Sequence, residues 1–180
     1  MKKAVKKNDN RGMSLVEIIL VIALMIVVAG VTGSGVSLIG QKPVEECARK
    51  VEIALNQNRT NSMGKKVAYL EFYMTASDSS GRVAFREYSQ SARESDVREG
   101  AEAVIGASDV KLRFVYKNVE GVESVVPMGT APIKVSFKRD SGSLVEEGSG
   151  LVLDRIEVYK GEGHIKTISI DKLTGKVTLQ

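Results

Sequence analysis

Residues 18–31 read IILVIALMIVVAGV, without a single charge. The helical pattern around them runs over residues 13–39, about 27 residues or ~40 Å of helix. That exceeds the ~30 Å hydrocarbon core of a bilayer. Because this stretch is apolar all round, a small domain cannot bury it against one neighbour and leave a polar face to water. The expectation is a transmembrane helix at 13–39, followed by one globular unit, since the remaining chain is close to the usual length of a single domain.

The sequence pI of about 9.1 invites a nucleic-acid reading. However, the basic excess sits at the front, in Lys2, Lys3, Lys6, Lys7 and Arg11, with only Asp9 against it. Of 26 basic and 22 acidic side chains, residues 1–12 hold five and one, leaving 21 of each. A short basic segment before an apolar helix keeps the N-terminus cytoplasmic, and a neutral remainder argues against a nucleic-acid patch. Cys47 is the only cysteine, so no internal disulfide staples the domain. Its spacing with Val44, Val51 and Leu55 places it on the apolar face of a helix as a small buried hydrophobe.

Gly30, Gly33 and Gly35 weaken the outer end of the apolar helix, at ~1 kcal/mol each against alanine. Two readings stay open, close helix packing through small residues or a segment able to stretch or melt. Pro43 kinks the helix or begins a second one. Over residues 40–63 an amphipathic helix is expected, with Val44, Cys47, Ala48, Val51, Ala54, Leu55 and Asn58 on one face and Glu45, Arg49, Lys50 and Glu52 opposite.

Residues 64–180 read as a β-rich head. Alternation predicts strands at 67–74, 82–88, 110–116, 133–137, 151–159, 165–170 and 176–179. Turn signals at Asp78-Ser79-Ser80-Gly81, Gly161-Glu162-Gly163 and Leu173-Thr174-Gly175 imply antiparallel pairing. The polar stretch 89–109 shows no clear pattern and is expected to be helical around 99–105. The fold class is therefore α+β: a long N-terminal helix whose outer half packs on an antiparallel sheet.

At the front, Arg11-Gly12-Met13-Ser14-Leu15-Val16-Glu17-Ile18 joins a basic leader to an apolar helix with one glutamate just inside it. An ionisable group there costs on the order of 3 kcal/mol near mid-bilayer and less at its edge, so Glu17 calls for a reason. This junction resembles the type IV prepilin family, whose leaders end in glycine before the scissile bond and whose mature chains carry glutamate at the fifth position. The resemblance places cleavage after Gly12 and N-methylation on Met13, which replaces the commoner phenylalanine. It implies a prepilin peptidase, an assembly platform protein and other pilin or pseudopilin subunits as partners. It also implies a pilin-like fold in a single-pass chain of the cytoplasmic membrane, with its N-terminus inside and its head outside. Glu17 would then meet the Met13 amine of a neighbouring subunit; at ~4 Å and an effective dielectric of ~20 the Coulomb attraction is about 4 kcal/mol before desolvation.

The head is similar, more loosely, to H-type minor pseudopilins of type II secretion. It shares a strand ending in Phe137 before Asp140-Ser141-Gly142, and a last strand pair around Thr174-Gly175-Lys176-Val177. The implied function is a structural subunit, a minor one, of a pilus-like or pseudopilus filament. Nucleic acid is not an expected partner outside a DNA-uptake system.

The main rival is a conventional signal peptide cut after Val27-Val28-Ala29, which would release a soluble β-rich binding domain. The glutamate at the start of the apolar core argues against it. No enzyme is expected and no cofactor or metal is assigned. His164 is the only histidine and has no second histidine or cysteine at ligand spacing. Gly148-Ser149-Gly150 and Gly161-Glu162-Gly163 lack the strand-to-helix setting of a phosphate loop. Asp140, Glu146 and Glu147 read as a solvated acidic loop rather than a calcium site.

Overall fold

The backbone from Leu15 onward forms one helix, α1 (Leu15–Gly64), and alternation in the rest gives strands. The computed structural model describes residues 15–75, 81–129, 131–146, 150–161 and 163–180. It divides into two units, residues 1–39 and 40–180. In the first, the described part is the opening stretch of α1. Pro43 lies inside α1, where its ring withholds one helical N–H. Of the kink or restart expected there, no restart is observed, because the backbone on both sides keeps helical geometry.

Among the described residues, the second unit holds the rest of α1 and ten strands: β1 (Val67–Met74), β2 (Val83–Gln90), β3 (Arg98–Glu99), β4 (Ala103–Val104), β5 (Lys111–Lys117), β6 (Glu123–Pro127), β7 (Ile133–Ser136), β8 (Val152–Lys160), β9 (His164–Ile170) and β10 (Val177–Leu179). All pairings are antiparallel. They form two sheets rather than the single one expected. One runs β3-β2-β1-β7, with β4 also on β2, and the other runs β10-β9-β8-β5-β6. The chain changes sheet after β4, after β6 and again after β7, a long-range choice that periodicity does not encode.

The amphipathic stripe does what its spacing dictates. Val44, Cys47, Ala48, Val51, Ala54 and Leu55 are buried in one core with Leu70 and Phe72 of the first sheet and Leu112, Phe114, Ile156 and Ile168 of the second. The Phe72 and Phe114 rings lie 5.7 Å apart and join the two sheets. On the outer helix face, Glu45–Arg49 at 2.8 Å and Glu46–Lys50 at 2.7 Å form i,i+4 pairs.

The helix expected at 99–105 is replaced by β3 and β4. Gly100 N–H donates to Glu87 O at 2.7 Å and Ile105 N–H to Val83 O at 2.9 Å. The open edge of β2 thus captures this backbone, and tertiary pairing overrides a weak local helix preference. Strand β6, absent from the alternation pattern, is the second departure.

Candidate functional site

In the opening stretch of α1, Val16, Ile18, Ile19, Leu20, Val21, Ile22, Leu24 and Met25 are all exposed, with Val16 and Met25 at 69%. At 100° per residue, the consecutive run from Ile18 to Ile22 covers more than a full turn, so this surface has no polar side. Soluble proteins rarely leave such a patch in water. Among the described residues no helix is long and apolar enough to cross a membrane; the side chains of residues 26–41 lie outside that description. Gly12 and Met13 lie outside the described residues. Glu17 falls in the first turns of α1, and its side chain is likewise outside the description.

In the second unit, the turns at Gly142 and Gly175 come together, although 33 positions separate them. Gly142 and Gly175 both have positive φ, at 66° and 65°. A Cβ built on Gly175 would lie 1.8 Å from Gly142 O, so only glycine allows the backbones this close. From α1, Arg59 Nε donates to the same carbonyl at 3.3 Å. Helix end, middle turn and C-terminal turn therefore form one junction. Asp171 shapes its own turn: Oδ1 accepts from Thr174 N at 2.8 Å, Thr174 Oγ1 at 2.9 Å and Leu173 N at 3.0 Å. These donors, the Thr174 N–H foremost, hold its carboxyl below the ordinary range.

On the outer face of the second sheet, Arg155 of β8 reaches across β5 to grip Glu123 of β6 with two bonds, 2.7 and 2.9 Å. It also donates to Glu157 at 2.8 Å, and Arg113 donates to the other Glu157 oxygen. Lys117 bridges Asp154 at 3.0 Å and Glu123 at 3.3 Å. A register shift after Val115 places Asp154 in this cluster. The Arg155 hydrogen bonds hold the Glu123 carboxyl down to about 2. The guanidinium bridge lies over Val115, which is only 1% exposed on what would otherwise be an open face. Sequence reasoning missed this network because its members lie on three strands whose register the pattern does not give. The Asn118…Gly121 pair was the available signal: Asn118 Oδ1 accepts from Val122 N at 2.8 Å and Gly121 has φ 84°, closing the β5–β6 hairpin.

The other residues that the sequence singled out are dispersed. Cys47 is fully buried, and desolvation pushes its thiol up to about 12, the opposite of what a nucleophile needs. His164 opens β9 opposite Lys160, and its side chain is outside the description. Asp140 accepts from Ser141 Oγ at 3.0 Å, while Glu147, Gly148, Ser149 and Glu162 lie outside the described residues. Among the described residues, no three His, Cys, Asp or Glu side chains gather closely enough to hold a metal ion. Compared with family models, curated proteins and solved structures, the chain matches none of them.

Proposed function

We propose that this chain is a structural subunit of a pilus-like or pseudopilus filament, anchored in the cytoplasmic membrane by the first part of α1. In this reading a prepilin peptidase removes residues 1–12 and methylates Met13, and the head is displayed outside. The observation that carries the proposal is the exposed apolar surface between Val16 and Met25. It needs lipid before assembly and neighbouring helices after it. The uncharged sequence of residues 18–31 extends that surface towards the length of a bilayer. The apolar stripe from Val44 to Leu55, buried among the strands, supports a division into anchor and head.

Glycine before the scissile bond leaves the backbone open to the peptidase, and the cut on the cytoplasmic side leaves the anchor attached. Glu17 then serves assembly by pairing with the Met13 amine of the next subunit, which fixes axial register. The head contributes no reaction in this reading; its H-type likeness favours a minor subunit.

Co-expression with a prepilin peptidase tests the proposal. The precursor should lose 12 residues, begin at Met13 and stay in the membrane fraction, while Gly12→Leu should leave it uncut. A mature protein that begins near Gly30 and is soluble would instead identify a secreted domain and defeat the filament reading.

A further inference from the structure

Strand β6 closes one side of the second sheet, and all five of its residues are exposed. The hydrogen-bond phase of the β5–β6 ladder is fixed by two contacts. Met128 N–H donates to Leu112 O at 3.0 Å, and Asn118 N–H donates to Val122 O at 3.1 Å. Even-numbered residues of β6 therefore turn their backbone groups toward β5, and odd-numbered ones turn them away. The N–H groups of Glu123 and Val125, and the carbonyls of Glu123, Val125 and Pro127, face outward. Among the described residues they have no partner.

Other strand edges are dealt with differently. Val145 N–H covers β7 by donating to Ser136 O at 3.0 Å, with a bridge between Phe137 and Leu144. Strands β3 and β4 are two residues each, and on β10 Val177 is buried. Proteins protect open edges with charge or proline. On β6 the charge of Glu123 is spent on Arg155 and Lys117, which leaves Val125 and Val126 flanked by Pro127.

We propose that β6 is a pairing edge through which two copies of this chain join, antiparallel and twofold symmetric about Val125. The edge is complementary to itself in that register. Each Val125 N–H meets the Val125 carbonyl of the second copy, and each Glu123 N–H meets the Pro127 carbonyl. Both outward donors of each copy are satisfied. The N–H that Pro127 lacks falls opposite the Glu123 carbonyl, at the strand end where water replaces it. Glu123 faces Pro127 rather than its own copy, so no like charges oppose each other. The contact is isologous, and it does not depend on the filament reading.

Chains with one added cysteine test the register in whole cells that make the full-length protein and are treated with a permeant thiol oxidant. Cys47 is fully buried, so the wild type should give only background. Val125→Cys should form a disulfide-linked homodimer, because directly opposed residues lie within reach of a disulfide. Val126→Cys alone should stay at background. Co-expressed with Ser124→Cys, its direct opposite across the twofold axis, it should give a mixed dimer. No homodimer from Val125→Cys, equal yields from every chain with one added cysteine, or capture of a different protein at position 125 would each overturn the proposal.

Discussion

At residue 175 the absence of a side chain decides whether the C-terminal turn can dock. Gly175 was legible in the sequence as a turn glycine, but the Gly142 carbonyl against which it lies was not, since neither pattern nor spacing relates two turns so far apart. Gly175→Ala must move that carbonyl and also hold a non-glycine residue at φ 65°. The expected loss is about 2–4 kcal/mol in denaturant unfolding. Gly163→Ala, with nothing within 4 Å of the added carbon, should fall within about 0.5 kcal/mol of wild type. Asn58 presents the opposite case. Its spacing put it on the apolar stripe, and it is indeed 1% exposed, but among the described residues neither Nδ2 nor Oδ1 has a hydrogen-bond partner. Asn58→Leu keeps the branched shape and the number of heavy atoms, with bulkier methyls at the tips, and removes the unpaired amide. It should raise stability by about 1–3 kcal/mol, read as a higher denaturant midpoint at unchanged slope. A lower midpoint would mean that the amide is satisfied in solution.

Among the elements, legibility followed burial. β1 buries alternate residues, as do the core-facing Leu112, Phe114 and Tyr116 of β5 and Ile168 and Ile170 of β9, and each strand was visible because one face meets the core. The helical stripe of α1 was visible for the same reason. β6 was not, because Glu123-Ser124-Val125-Val126-Pro127 is exposed throughout and carries no period of two. Its place is set by the hairpin at Asn118 and Gly121 and by the Arg155 bridge to Glu123, both of which need the neighbouring strands in view. β3 and β4 are two residues long and exist only because the edge of β2 is open to them. Short elements held by tertiary contacts leave little trace in local sequence, so the expectation at 99–105 failed there rather than in the core.

For the whole molecule, the N-terminal junction and the packed unit make separate demands. Residues 40–180 share one core drawn from α1 and both sheets. A chain beginning at Lys42 should therefore be soluble and unfold cooperatively in a thermal scan, and obligate aggregation would contradict that division. The candidate assembly residue was legible as chemistry, a lone carboxylate at the start of an apolar helix, but in the proposed filament its partner would belong to another subunit, which no single chain displays. Glu17→Val makes the anchor more apolar, so insertion and cleavage after Gly12 should be unchanged. The Met13 amine would then be left without its counter-charge between packed helices, where losing one member of a buried pair costs about 3–5 kcal/mol. The decisive measurement is a filament pull-down in a strain that makes the rest of the assembly machinery, with processing of wild type and Glu17→Val checked by mass. The account predicts that the wild type is recovered in filaments and that the fully processed mutant is largely lost from them. Equal recovery of the two, or absence of the wild type from the filaments, would contradict it.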